Sequence, residues 1–410
     1  MKIKTPEVIF AIFALIFGLL FLFITPYNGV PDEEAHLMRA CEVSDGILYS
    51  GKTHVETTKC DELLFKNIQL NRNKFRFHSS SGYSPVLYTF SALGLKFGEI
   101  WGGNTMFYLA RLFNLIFFIL ITTLAIRITP VFKYQFLIVA LFPMTLFEGM
   151  SISADSINIA IAFLFFAYLF KFIFGNKQEL LKVDLFNLSI LSVLGAMLKG
   201  LIYPIFLFVF LPIKRHKILF ISTCLILAIG IMSYWSSINP IFTYPSPLMD
   251  VNINKYMLLH SPPDFIHKFY TTLITRSYWY IPSCIGILGW LKINLYPAYV
   301  IEPILFISSF FIFPTHVNKN KKIVALTIFI IFFILMHIMF YITWTLPNSH
   351  KIDGVQGRYF IPMLPLLFMV LAQNKSFIPH KYQNKYISVL IVMIFITLCY
   401  SYFALYNYFI

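Results

Sequence analysis

Charged residues are scarce in this 410-residue chain: Asp, Glu, Lys and Arg make up 12% of it, while 58% is hydrophobic. That balance excludes an ordinary soluble globular protein, in which about a quarter of residues are charged. Acid is the scarcer sign, with 18 Asp and Glu against 32 Lys and Arg. Cysteine is sparse too, and none of the five has the spacing of a zinc site. The chain lacks internal repeats and low-complexity linkers, so no detachable soluble domain is expected. It also lacks inverted helical repeats and paired broken helices, which weighs against a secondary transporter. No small-residue cleavage pattern follows the first apolar run, Val8 to Ile24, although Lys2 and Lys4 precede it as in a signal peptide. That run is expected to stay as an uncleaved spanning helix.

Apolar runs near bilayer length are what the chain has in abundance. After the first come 106–127, 135–150, 156–174, 184–198, 201–213, 218–236, 295–313, 323–345, 359–373 and 386–408. About eleven transmembrane helices make an all-α integral membrane protein, one polytopic domain over 1–410. The net charge of +14 then reports topology. Basic residues gather in short loops, at Lys177 and Lys182, Lys214 to Lys217, Lys319 to Lys322 and Lys375 to Lys385. The positive-inside rule assigns these loops to the cytoplasm, with the N-terminus inside and the C-terminus outside. No nucleic-acid partner is expected; membrane lipids surround the chain.

Three outward segments are large or chemically rich: 26–105, 237–294 and Leu346 to Arg358. In the first, 83–98 is apolar enough to tempt a spanning assignment, but a crossing there would invert every later basic loop. Parity predicts instead an amphipathic helix on the outer surface, with Tyr83, Tyr88 and Lys96 near the headgroups. Cys41 and Cys60 share this loop, and a disulfide between them is open if their Cα atoms approach closely.

The densest charge lies between Gly29 and Gly46, where Asp32, Glu33, Glu34, His36, Arg39, Glu42 and Asp45 fall in one short span after the first helix. Pro31 suits a helix start, and acids in a first turn complement the helix dipole. Asp32, His36 and Arg39, at i, i+4 and i+7, share a face. The bland reading is an acidic cap on a solvated helix. The functional one is a general base, because one of two adjacent acids can be desolvated and tuned by its neighbours. Asp32 is the stronger candidate and Glu33 its competitor; His36 would orient the base or bind a substrate hydroxyl. Asp155 either caps the next helix or adds a second outward acid, and Glu148 at a membrane edge needs a partner. Three cations, Arg111, Lys199 and Arg358, lie near outer helix ends. Each can snorkel, yet Arg358 follows Gly354 and Gly357, which allow close backbone approach, and guanidinium suits phosphate. With Arg39, Tyr83 and Tyr359 they complete the substrate-binding set, a cationic pocket opposite the acids.

The blocks Pro31-Asp-Glu-Glu-Ala-His36, Tyr83-Ser-Pro-Val-Leu-Tyr88, Ala110-Arg-Leu-Phe-Asn114, Leu141-Phe-Pro-Met144 with Ser153-Ala-Asp155, Gly286-Ile-Leu-Gly-Trp290 and Gly357-Arg-Tyr-Phe-Ile-Pro362 resemble a bacterial family of multi-spanning membrane proteins related to the GT-C glycosyltransferases. The resemblance implies a GT-C-like helical bundle with outer-surface helices in the first loop. It implies a sugar donor carried on polyprenyl phosphate, with Asp32 as base or positioning acid, Glu33 beside it, and Asp155 as the second acid. Such enzymes vary in metal use, so no metal ligand carries over and a divalent metal stays open as a cofactor. The chain departs from related transferases in lacking a large C-terminal soluble domain, so its loops would recognise the acceptor.

The function expected is an inverting glycosyltransferase of the bacterial inner membrane, its active site facing the periplasm. The acceptor would be a surface polysaccharide or lipopolysaccharide unit of the O-antigen type. The alternative is a transporter or flippase of a lipid-linked sugar, with Asp32, Arg111 and Lys199 lining the path.

Overall fold

The computed structural model describes residues 5–48, 59–65, 80, 82–175, 182–197, 210, 215–238 and 251–410. Lys199 and nearly all of the run 201–213 lie outside these residues. Within them the chain is mostly helical. Five helices are long and apolar enough to cross a membrane: α1 (Pro6–Ile24), α5 (Gly103–Ile128), α8 (Ala154–Phe174), α14 (Lys319–Thr343) and most of α16 (His380–Phe409). At 1.5 Å per residue even α1, with 19 residues, approaches the ~30 Å hydrocarbon thickness. Shorter apolar stretches belong to α9 (Lys182–Met197), α10 (Arg215–Ile238) and α13 (Tyr296–Ile312). The protein is an all-α membrane protein.

Two runs read as single spans are broken. Residues 135–150 form α6 (Lys133–Ala140) and α7 (Pro143–Met150), because Pro143 has no N–H to continue the ladder and sits instead in the first turn of α7. Residues 359–373 form a 3-10 segment, Gly357–Met363, followed by α15 (Leu364–Leu371). Here Pro362 and Pro365 each remove a donor.

The segment 26–105 holds α2 (Glu33–Ser44), α3 (Lys59–Phe65), a 3-10 turn at Pro85–Tyr88 and α4 (Thr89–Gly98). With ten residues, about 15 Å, α4 spans half a bilayer at most. Leu93 and Phe97 on α4, and Ile100 and Trp101 in the turn after it, are exposed beside the Lys96–Glu99 ion pair at 2.7 Å. That is the form of a membrane-surface helix. Tyr88, expected at the headgroups, is instead fully buried. α4 lies directly on α5, and Gly94 and Gly98 make this possible. A Cβ at Gly94 would stand 2.4 Å from the Leu109 carbonyl oxygen, and one at Gly98 2.7 Å from Met106 Cα. Small residues four apart are the usual means of bringing helices this close in a membrane.

The segment 237–294 contains α11 (Val251–His260), α12 (Pro262–Ile285) and a hairpin of β1 (Ile287–Leu288) and β2 (Ile293–Asn294), with Ile287 opposite Asn294. α8 is the central post of the bundle. Around it aromatic edges interlock: Phe136 meets Phe163, Phe170 and Phe368, and Phe10 meets Phe118. Lipid is as apolar as these side chains, so tight packing, and not burial from water, holds such helices together.

Candidate functional site

The loop from α1 to α2 turns twice through the left-handed region, at Asn28 (φ 60°) and Asp32 (φ 62°). Asp tolerates that conformation better than most residues, but it still stores strain. Asp32 occupies the N-cap position of α2, yet its side chain makes no capping hydrogen bond. Its carboxylate is 49% exposed. The hairpin braces this loop from outside, with Trp290 Nε1 donating to the Asn28 carbonyl at 2.7 Å.

Glu33, the next residue, points the other way and is buried. Arg111 Nε and Nη2 donate to its two oxygens at 2.9 and 2.5 Å. Arg111 Nη1 reaches the carbonyls of Leu22 (3.2 Å) and Thr25 (2.5 Å), and Nη2 reaches that of Pro26 (3.2 Å). A guanidinium has five N–H donors, and all five are taken. The Ile152 N–H also donates to Glu33, at 3.0 Å. Arg111, expected to bind phosphate, is therefore the internal strut that joins α5 to the end of α1 and the start of α2.

Arg39 is likewise withdrawn from the face it was expected to share with Asp32. It is fully buried and donates to Glu42 (2.6 Å) and to the carbonyls of Ile47, Leu48 and Tyr83. These bonds fasten the end of α2 against the turn that leads into α4. The Cys41–Cys60 disulfide, with Cα atoms 5.3 Å apart, adds α3 to the same block. His36 remains near Asp32, one turn on. Its Nδ1 bonds the Tyr88 hydroxyl at 2.7 Å, and its ring stacks between those of Tyr83 and Tyr88. Burial, followed by the nearby Tyr83, raises the Tyr88 phenol well above its ordinary value.

Arg358 enters from the opposite side. The Gly357 N–H donates to Ser283 Oγ at 2.8 Å, and a Cβ on Gly357 would stand 1.9 Å from the Tyr280 carbonyl oxygen. Only glycine lets the 3-10 segment lie this close to α12. Tyr359 stacks on Phe340 with centroids 5.1 Å apart. Between these two anchors Arg358 is thrust inward, 5% exposed, and donates to Glu148 Oε1 at 2.5 Å. Its Nη2 lies 3.7 Å from Asp32 Oδ2, an ion-pair distance but longer than a hydrogen bond. Its Nε is buried with no partner among the described residues.

Asp155 begins α8, where Ser153 is the cap: its hydroxyl accepts the Asp155 N–H at 3.0 Å. The Asp155 side chain is thus not the capping group, and its charge acts on both Arg358 and Tyr88. Asp32, Glu148 and Asp155 surround one guanidinium, with the aromatic group of His36, Tyr83 and Tyr88 beside them. Asp32, Asp155, His36, Tyr83, Arg358 and Tyr359 are brought together; Glu33, Arg39 and Arg111 support them from behind. Glu148 was not among the expected site residues, although a membrane-edge acid signals a partner. Sequence reasoning also passed over Glu302, fully buried in α13 and accepting from Thr397 at 2.6 Å. A lone acid in an apolar run is the signal it left. Among the described residues, no three His, Cys, Asp or Glu side chains group as metal ligands.

Residues 65–367 match the profile of the family described as predicted membrane protein (DUF2142), and the chain belongs to that family. No curated protein and no solved structure matches it.

Proposed function

We propose that this member of DUF2142 is a GT-C-type glycosyltransferase of the bacterial inner membrane, moving a sugar from polyprenyl phosphate to a surface-glycan acceptor on the periplasmic face. The observation that carries the reading is the state of Asp32: half-exposed, uncommitted to capping, held in a strained conformation, and 3.7 Å from a buried guanidinium. A general base needs to be reachable by substrate and fixed in place, and Asp32 is both. The disulfide in the first outward segment supports an oxidising compartment for that face.

In the proposed step, Asp32 takes the proton of an acceptor hydroxyl as its oxygen attacks the anomeric carbon. The bond from that carbon to the phosphate oxygen breaks, and the polyprenyl phosphate leaves with the electron pair. A single displacement inverts the anomeric configuration. Arg358 offers Nε and Nη2 to the leaving phosphate, while Glu148 fixes the guanidinium through Nη1. Tyr83, backed by the buried rings of His36 and Tyr88, gives the sugar a flat aromatic wall.

The test uses purified protein in liposomes with a labelled polyprenyl-phosphate sugar and candidate glycan acceptors. Label should pass to an acceptor with inverted configuration. Label that crosses the bilayer without transfer would contradict the proposal and favour a flippase.

A further inference from the structure

Glu302 is the only charged residue of α13, and the candidate site makes no use of it. It is fully buried against α16, where Thr397 and Ser401 are buried too. Phe395, on the same stretch of α16, packs on Phe13 and Phe17 near the middle of α1, so this contact lies inside the bilayer. Glu302 has no ion-pair partner among the described residues. In α16, His380, Lys381 and Lys385 all precede Thr397 by about 18 Å of helix or more, and the one charge of α1, Glu7, is in its first turn.

The hydrogen bonds at this contact do not balance for a carboxylate. Thr397 Oγ1 lies 2.6 Å from Glu302 Oε1 and 2.9 Å from the Ile394 carbonyl oxygen. A threonine hydroxyl has one proton, which it can donate fully to only one of them. Glu302 Oε2 is buried with no hydrogen-bond partner among the described residues. An ionised Glu302 would compete with the Ile394 carbonyl and leave charge on Oε2 with no donor, where an unpaired charge costs most. A proton on Oε1 removes both conflicts. The carboxyl then donates to Thr397, Thr397 donates to Ile394, and Oε2 becomes the carbonyl oxygen of a neutral acid. A hard metal cation fits poorly, since it takes about six or more oxygens and two are drawn together here.

We propose that Glu302 is a proton-binding site inside the bundle, and that the bound proton locks α13 to α16. The lock lies behind the support of the candidate site. One turn toward the N-terminus of α13, the Tyr299 hydroxyl accepts the Leu295 N–H at 3.0 Å and donates to the Gly286 carbonyl at 2.9 Å. Gly286 and Leu295 bracket the hairpin, whose Trp290 holds the Asn28 carbonyl in the loop that presents Asp32. Loss of the proton would place a bare charge at the contact and loosen the helix that carries the hairpin, whatever reaction occurs at the site.

Infrared spectroscopy of full-length protein in liposomes at neutral pH tests the site, because a protonated carboxyl group has a carbonyl stretch that a carboxylate lacks. The difference between wild type and Glu302→Gln should contain that band. Thr397→Val, which removes the acceptor and keeps Glu302, should shift it. The Gln amide can donate to Thr397 in the acid's place, so Glu302→Gln should unfold within about 2 °C of wild type. If Glu302→Gln fails to fold, the Thr397→Val shift is the deciding readout. A difference spectrum without the acid band, or a band that Thr397→Val leaves in place, would overturn the proposal. So would loss of the band on adding sodium chloride, which would mean that a cation replaces the proton. A Glu302→Gln midpoint raised by more than about 5 °C would overturn it as well, as the mark of a buried charge removed.

Discussion

Asp32 and Glu33 are neighbours in sequence and opposites in chemistry. Glu33 is sealed under five-donor Arg111 and stands among backbone groups; Asp32 faces the open side. The buried pair makes the first residue-scale prediction. Arg111→Ala strands the Glu33 carboxylate without a counter-charge, and breaking a buried pair this way costs about 3–5 kcal/mol. Thermal unfolding in lipid should show that loss, whereas Asp32→Asn should leave the midpoint nearly unchanged, because its contact to Arg358 is loose. The charge cluster itself was legible from residues 29–46. Which acid stays accessible was not, because the deciding partner lies 78 positions away. Arg358 and Glu148, 210 positions apart, met for the same reason: each needs an opposite charge inside an apolar bundle.

At the scale of elements, the site depends on backbones that touch. Gly357→Ala would drive a methyl group into the Tyr280 carbonyl, so the 3-10 segment must lift from α12 and take Arg358 with it. We expect this variant to lose transfer activity by at least about tenfold, as misplacement of a catalytic group does, while remaining in the membrane. The Cys41–Cys60 link is the second test at this scale. It closes a loop with a sequence separation of 19, so Cys41→Ser should lower stability by about 3 kcal/mol, read as the shift in denaturant midpoint with and without reductant. Long runs such as 106–127 announced themselves by length and hydropathy. The breaks in 135–150 and 359–373 did not, although Pro143, Pro362 and Pro365 stood in plain view. Average hydropathy takes no account of a missing N–H, and in a bundle neighbouring helices can satisfy the freed carbonyls. That 83–98 holds a helix too short to span was legible through parity, a constraint on the whole chain; the burial of Tyr88 was not, since it depends on His36 folding back onto it.

For the whole molecule, the assignment of sides follows from the basic loops. Reporter fusions at Lys319 should read cytoplasmic, and fusions at Lys292 in the hairpin should read outside; the reverse at Lys292 would remove the periplasmic site. A helical frame places an accessible carboxylate, a buried guanidinium and an aromatic wall at one end of the bundle, beside two helices with exposed apolar side chains. Its central claim is that Asp32 is the base of a sugar transfer. The most direct measurement is the initial rate of transfer from a polyprenyl-phosphate sugar by wild-type protein and by Asp32→Asn, matched for folded protein by thermal unfolding. The account predicts a fall of at least about a hundredfold, the usual contribution of a general base. An Asp32→Asn protein that transfers at a rate within about twofold of wild type would contradict it.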